Sequence, residues 1–197
     1  MDNKEFYELI QGQRETRNIE FKNGNSWKNP DYRAKVIASI FGMTNLEGGG
    51  FVILGINQTN SGISLDGLTD ENFDSFDEEI AKDKLSTYAD PYVDFDIEKL
   101  IIDEGKFIVF IVREFDETPV ICKVDSCDLK AHTLYVRTRN RRPETVSVPD
   151  SLHFREIIDL TVNKKFEKQK KQVTKWGYTE TATDEQEFDK QLEAIDE

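Results

Sequence analysis

Two carboxylates and a lysine lie close together in residues 15–22, ETRNIEFK. Apolar and charged residues alternate at the end of this string, which predicts a half-buried strand. Side chains two residues apart leave a strand on the same face, so Glu20 and Lys22 should point the same way, with Glu15 just before the strand. Two such carboxylates can ligate a divalent metal while the lysine contacts phosphate. Spacing alone favours the simpler alternative, a salt-bridge cluster at the surface.

A run of arginines follows Tyr135, near the end of a strand predicted over residues 133–138. If the strand continues, Tyr135 and three of the arginines share one face, where guanidinium groups suit phosphate oxygens and the ring can stack on a base. Lysines of the following helix extend this basic stretch. The alternative, of equal weight, is that the arginines pair with the protein's own carboxylates. The residues are Arg137, Arg139, Arg141 and Arg142, followed by Lys164, Lys165, Lys168, Lys170 and Lys171.

The glycines of the segment NLEGGG lie between a predicted helix and a predicted buried strand. Glycines let a backbone approach a phosphate, and free N–H groups can form an anion-binding nest. The known nucleotide-binding loops run from strand to glycines to helix, however, and here the order is reversed. The segment is therefore predicted to be a tight turn first and a phosphate loop second. Its candidate residues are Asn45, Gly48, Gly49 and Gly50.

Charge is distributed unevenly along the chain. The 197 residues carry a formal net charge of −13, which disfavours nucleic acid because its binding depends on neutralising phosphates. Residues 1–133 carry −12 and residues 176–197 carry −7, whereas residues 134–175 carry +6. A nucleic-acid site is therefore permitted if it is local. We assign residues 173–197 to a solvated acidic tail, with masking of the basic stretch or partner binding as the alternative role, and residues 1–172 to one domain.

The composition also bears on location and on metals. No apolar run approaches the roughly 18 residues that a membrane helix needs, and two cysteines are too few for a disulfide scaffold. We therefore expect a cytoplasmic protein without a membrane partner. Cys122, Cys127 and His132 are spaced more widely than zinc ligands usually are, so zinc is not expected.

The predicted helices and strands alternate in the first half of the chain, and predicted strands dominate the second half. An amphipathic helix is predicted over residues 31–45, and a strand buried on both faces over 51–56. A β-hairpin is predicted over 93–112, and a long helix over 151–172. This order predicts the α/β (mixed α+β) class, with a mixed sheet flanked by helices and a long C-terminal helix.

These segments resemble, in order, the motifs of the Schlafen, divergent AlbA-like domain. Residues 15–22 resemble its opening motif, E-S-x-x-x-E-F-K. Residues 44–56 resemble its A-N-T-x-G-G motif and the apolar strand after it. Shorter matches follow at residues 62–68, 118–120 and 134–137. The resemblance implies a Schlafen/AlbA-like fold over most of the chain.

The same resemblance implies an active site. Some members of the family are metal-dependent endoribonucleases that act on structured RNA such as tRNA, with two glutamates of the opening motif and an acidic residue after the buried strand. Glu15 and Glu20 match the two glutamates, and Mg²⁺ or Mn²⁺ is the cofactor that this implies. The third position is Asn57, whose amide brings no charge and should weaken metal binding. Glu47 and Asp66 are substitutes outside the motif.

The sequence supports two hypotheses about function. The first is a nucleic-acid-binding protein, directed to RNA more than to DNA, with weak metal-dependent endoribonuclease activity left open. In this hypothesis Lys22 steadies the phosphate, and the arginines and lysines hold the nucleic acid. The alternative is a non-catalytic subunit of a larger defence or regulatory complex, as for some stand-alone prokaryotic relatives. It would sense ATP or another nucleotide, or bind a protein partner or a second copy of itself.

Overall fold

The computed structural model describes residues 1–12, 14–59, 62–103 and 105–175. Within them, the helices are α1 Asn3–Ile10, α2 Pro30–Thr44, α3 Asp70–Asp74, α4 Glu78–Tyr88 and α5 Ser151–Lys175. The strands are β1 Ile19–Lys22, β2 Gly50–Leu54, β3 Asn57–Thr59, β4 Gly62–Ser64, β5 Ala89–Asp90, β6 Phe95–Ile102, β7 Gly105–Val112, β8 Ile121–Cys122, β9 Tyr135–Arg137 and β10 Thr145–Ser147. The predicted mixed α+β class is confirmed.

A four-stranded mixed sheet forms the centre of the fold, in the order β1-β2-β7-β6. β1 and β2 are parallel, and the other neighbours are antiparallel. The pairing places Glu20 opposite Val52, so the candidate carboxylate leaves a strand at the edge of this sheet. The predicted hairpin over residues 93–112 is confirmed as β6 and β7.

The central sheet is covered on both faces. Val52 and Leu54 of β2 pack with α2 in the larger core cluster. Ile53, which points the other way, packs with Phe6 and Ile10 of α1 in a smaller cluster. The predicted buried strand is confirmed as β2, which ends at Leu54, two residues before the predicted end at residue 56.

The start of α2 follows from its capping residues. The Asn29 side chain accepts hydrogen bonds from the backbone N–H groups of Asp31 (3.1 Å) and Tyr32 (3.2 Å), and Pro30 occupies the first helical position. Behind them, α2 buries apolar side chains such as Ile37 and Phe41 completely. α2 packs against the later strands β9 and β10. The ring centroids of Phe41 on α2 and Tyr135 on β9 are 6.3 Å apart.

Several local features differ from the sequence-based expectation. Gly62 and Gly67 predict a simple turn after β2, where the structure has a small hairpin of β3 and β4. The apolar spacing over residues 73–85 predicts one acidic helix, where the structure has two, α3 and α4. β9 is antiparallel to β10 and ends at Arg137. The strand therefore does not continue to Arg139 and Arg141, and the expectation that these arginines share one face of a strand is wrong.

The long basic helix is confirmed as α5, which runs three residues past the predicted boundary at 172 to Lys175. The rest of the predicted acidic tail, residues 176–197, lies outside the described residues. Within the described part of the chain, no helix has the length and apolar character needed to cross a membrane.

Candidate functional site

The carboxylate of Glu20 lies inside the protein and is held by three side chains. Its Oε2 accepts hydrogen bonds from Arg137 Nη1 (2.7 Å) and Thr145 Oγ1 (2.9 Å), and its Oε1 pairs with the Lys22 ammonium group. Glu20 is 4% exposed. Because both oxygens are already bonded to cationic or hydroxyl donors, the carboxylate is paired inside the fold and does not face solvent. Lys22, expected to contact phosphate, instead neutralises Glu20.

Arg137 is buried as completely as its partner, at 1% exposure. Its guanidinium group also donates to the backbone carbonyl oxygens of Arg17 (3.1 Å) and Thr16 (3.1 Å). In return, Arg17 Nε donates to the carbonyl oxygen of Arg137 at 3.2 Å. These bonds join the end of β9 to the start of β1, so Arg137 connects two parts of the fold and cannot reach an external phosphate.

Tyr135 is buried too, at 7% exposure. Its hydroxyl group accepts a hydrogen bond from the backbone N–H of Lys130 at 3.0 Å and donates to the Asp128 carbonyl oxygen at 3.3 Å. The ring packs in the larger core cluster, so it is not available to stack on a base. The prediction that Tyr135 and Arg137 form a nucleic-acid-binding face is therefore corrected by their burial.

Glu15 and Glu20 have opposite electrostatic environments. Burial raises the pKa of the Glu15 carboxyl, and the hydrogen bond that Glu15 Oε1 accepts from Phe21 N–H (2.8 Å) opposes only part of this effect. Burial alone would raise the pKa of Glu20 as well. The charges of Lys22 and Arg137 outweigh burial there and hold the pKa of Glu20 below its usual value. Glu15 is therefore the carboxyl group of the pair that takes up a proton more readily.

The donor set does not fit a divalent metal in this arrangement. Glu20 is paired through both oxygens, one oxygen of Glu15 accepts a backbone N–H, and the Asn57 amide donates to Asp66. In the described part of the chain, no three carboxylate, histidine or cysteine side chains are grouped as metal ligands. The Mg²⁺ or Mn²⁺ site that the resemblance implies at Glu15 and Glu20 would require these pairs to separate.

Glu15 lines a surface cleft that three arginines border. β3 contributes Gln58 and Thr59 to this cleft. The loop between β9 and β10 contributes Arg141 and Arg142. The third arginine is Arg14, which directly precedes Glu15 in the sequence. We call these six residues the arginine cleft. The structure thus brings the predicted Arg141 and Arg142 to the predicted Glu15.

The three arginines of the cleft are exposed, and within the described residues none of them forms an ion pair. Their guanidinium groups are therefore free to bind an anion, and the carboxyl group of Glu15 beside them has its pKa raised by burial. Sequence reasoning missed Arg14, for which the one available signal was its position next to Glu15.

Other predicted cations pair with the protein's own carboxylates. Arg139 bonds to Glu156, which also receives two hydrogen bonds from Arg17. Lys164 pairs with Glu114 at 2.6 Å, and Lys168 pairs with Glu117. Lys165, Lys170 and Lys171 are exposed on residues 163–175, the C-terminal half of the helix, which we call outer α5. With Arg137 included, internal pairing therefore applies to four of the nine predicted cations, and the other five lie at the cleft and on outer α5.

The glycine turn serves the fold. Asn45 is buried, and its amide accepts from Val120 N–H (2.8 Å) and donates to the carbonyl oxygens of Val120 (2.8 Å) and Tyr135 (3.0 Å). Gly49 has a φ of 69°, and a Cβ atom there would lie 2.1 Å from the Val112 carbonyl oxygen. Glycine is therefore required by close packing.

The backbone N–H groups of this turn are already bonded. Gly48 N–H donates to a Glu114 carboxylate oxygen at 2.6 Å, and Gly49 N–H donates to the Leu46 carbonyl oxygen at 2.9 Å. A carboxylate of the protein thus occupies the position in which a phosphate would be bound. The turn, including Gly50 at the start of β2, is explained by packing without a nucleotide.

Comparisons with a family model and with solved structures find proteins that are similar to this chain. The family model described as Schlafen, AlbA_2 matches residues 15–145. Among solved structures, the DIP2311 protein from Corynebacterium diphtheriae is similar with a TM-score of 0.51 and 15% identity, over 78% of this chain and 28% of that one. The N-terminal domain of a RecG-related protein from Nitrosomonas europaea aligns with a TM-score of 0.45 and 16% identity, over 70% of this chain and 90% of that domain.

No curated protein matches the chain. The chain spans less than a third of the length of the Corynebacterium protein, so that likeness concerns the fold alone. The match to the family model covers more than half of the chain and begins at Glu15, the first glutamate of the candidate site. The chain therefore belongs to the Schlafen, AlbA_2 family.

Proposed function

We propose that this protein binds nucleic acid by its phosphates at the arginine cleft. The observation that carries the proposal is the convergence of Arg14, Arg141 and Arg142, all exposed and unpaired within the described residues, on one cleft. Guanidinium groups form paired hydrogen bonds with phosphate oxygens, and each such contact adds affinity by releasing counterions. A local site of this kind is compatible with the net charge of −13.

Membership in the Schlafen, AlbA_2 family supports nucleic acid as the ligand. Within that class we propose RNA in preference to DNA, because the nucleases that the opening motif resembles act on structured RNA. Gln58 and Thr59 lie in the cleft beside the arginines. The side-chain amide of Gln58 can hydrogen-bond to the ribose 2′-hydroxyl group, which RNA has and DNA lacks.

Phosphodiester cleavage is a second candidate, favoured by the opposite environments of Glu15 and Glu20. A carboxyl group whose pKa is raised by burial can act as a general acid or base. Glu15, with its raised pKa, is the group that can exchange a proton beside a bound phosphate. Glu20 takes no part in this proton exchange, because its carboxylate is buried and paired with Arg137. Since the donor set does not fit a metal as arranged, we assign no step to one.

Binding is tested by fluorescence anisotropy with labelled tRNA, single-stranded RNA and single-stranded DNA at low salt. Replacing both loop arginines (Arg141→Gln with Arg142→Gln) should weaken binding about tenfold or more, since two phosphate contacts are lost. Arg155→Gln is the matched control, because Arg155 is an exposed arginine on α5 outside the cleft. Equal weakening by the control, or an unchanged affinity in the double variant, would contradict the cleft as the site.

Cleavage is tested on the same RNAs with Mg²⁺, with Mn²⁺ and with a chelator. If Glu15 exchanges the proton, Glu15→Gln should abolish cleavage while affinity stays within about threefold. RNA that binds but stays intact under all three conditions would overturn the cleavage candidate and leave binding in place. No binding of any nucleic acid at low salt would overturn both and favour the nucleotide-sensing or protein-interaction alternative.

A further inference from the structure

An apolar groove lies between α5 and the residues of β8 and of the segments that flank β9 and β10. One wall consists of Phe154, Ile158 and Val162, which follow each other at intervals of four residues and are 54%, 43% and 57% exposed. The opposite wall consists of Ile121, Leu134 and Val148. A contiguous apolar surface of this kind on a soluble domain is typical of a site that another segment covers.

The same helix is strongly basic beyond the groove. From residue 163 to 175 it has six lysines and one glutamate, and after Lys164 every described residue is exposed. An occupant that runs along α5 from the groove toward Lys175 therefore needs apolar side chains for the groove and acidic side chains for the lysines.

The sequence directly after α5 has this chemistry. Residues 176–197 contain eight acidic side chains and one lysine. Phe188, Leu192 and Ile195 have the i, i+4, i+7 spacing of one face of a helix. Thr183 and Gln186 have the spacing of a capping box, the sequence signature of a helix start.

The chain is long enough to make the connection. Ile158 lies about 25 Å from the end of α5, at about 1.5 Å per residue. Residues 176–187 can span up to about 40 Å when extended, which is sufficient to bring Phe188 back to the groove. Because the segment is attached to α5, its effective concentration at the groove is on the order of millimolar, so a modest affinity suffices.

We propose that residues 183–197 of the same chain occupy this groove and the lysine-rich surface of α5 beside it. Phe188, Leu192 and Ile195 enter the groove, and the acidic side chains lie over the lysines of outer α5. The apolar contacts provide most of the stability, and the opposite charges fix the direction. The proposal does not depend on the nucleic-acid function, because the groove is separate from the arginine cleft.

Hydrogen exchange of the full-length protein, followed by mass spectrometry, tests the docking. In the unaltered protein, the amides of residues 184–197 should be protected. Ile158→Ser in the groove and Leu192→Ser in the tail should each lower this protection about tenfold or more. Leu152→Ser is the matched control, because Leu152 is 53% exposed and lies outside the groove. Unchanged exchange in β2 and β7 shows that the variants are folded.

Three results would overturn the proposal. One is free exchange of residues 184–197 in the unaltered protein. Another is protection that survives both Ile158→Ser and Leu192→Ser. The third is protection that grows with protein concentration together with a dimer by light scattering, which would mean that a second copy occupies the groove.

Discussion

Arginines from one short run of sequence have opposite roles in this protein. Arg137 is buried and bonded to Glu20, whereas Arg141 and Arg142 border an open cleft beside Glu15. The two glutamates differ in the same way, since the pKa of Glu20 is lowered and that of Glu15 is raised. The buried pair of Glu20 and Arg137 joins β1 to β9. The exposed arginines Arg141 and Arg142 are free to bind a ligand. Residue type alone therefore does not tell whether an arginine or a glutamate of this chain is buried in the fold or exposed at the cleft.

The largest effect is expected at the buried arginine. Arg137→Met should lower the free energy of unfolding by about 3–5 kcal/mol, because it leaves Glu20 buried with one cationic partner fewer and breaks the bonds to the carbonyl groups of Thr16 and Arg17. Urea unfolding followed by circular dichroism measures the change. Arg142→Gln, at the cleft, should stay within about 0.5 kcal/mol of the unaltered protein. Similar losses in both variants would remove the distinction between the two regions.

A smaller effect is expected from Glu20→Gln, and it should depend on pH. Because the pKa of Glu20 is lower in the folded protein than the ordinary value, this carboxylate stabilises the fold above that ordinary value. The contribution is lost as the pH falls through the lowered pKa. Glu20→Gln should therefore be less stable than the unaltered protein at pH 7, and the gap should narrow below about pH 4. A gap that is independent of pH would contradict the pairing.

The smallest effect is expected at Glu15, and its sign is reversed. Burial raises the pKa of this carboxyl, so the folded state favours its neutral form and the charged form costs stability as the pH rises through the raised value. Glu15→Gln should therefore be slightly more stable at pH 7, by less than about 1 kcal/mol, and equal in acid. A loss of stability at pH 7 would show that Glu15 is held by its cationic neighbours as Glu20 is.

The main elements of the fold were predictable because they depend on local patterns. The capping residues Asn29 and Pro30 indicate the start of α2, and the apolar run of residues 51–56 indicates a buried strand. The hairpin of β3 and β4 was missed, since its strands of three residues carry no clear alternation. The family motifs pointed to Glu15 and Glu20 as candidates, but they carry no information about the burial and pairing of the two carboxyl groups.

The separation of the arginines could not be predicted from sequence. Arg137 meets Glu20 across 117 residues of chain, a tertiary contact that no local pattern encodes. The arginine cleft likewise forms because the loop after β9 lies beside β3. Arg14 joins it through the fold of the chain before β1, and the charge counts treated Arg14 as part of an acidic region.

The salt dependence of RNA binding tests the central claim most directly, because it counts phosphate contacts. The logarithm of affinity falls linearly with the logarithm of salt concentration. This negative slope should become shallower by about 1–2 when Arg141 and Arg142 are both replaced by Gln. The slope should be unchanged in the Arg155→Gln control. An unchanged slope in the double variant, or an equal fall in the control, would show that the arginine cleft does not hold the phosphates.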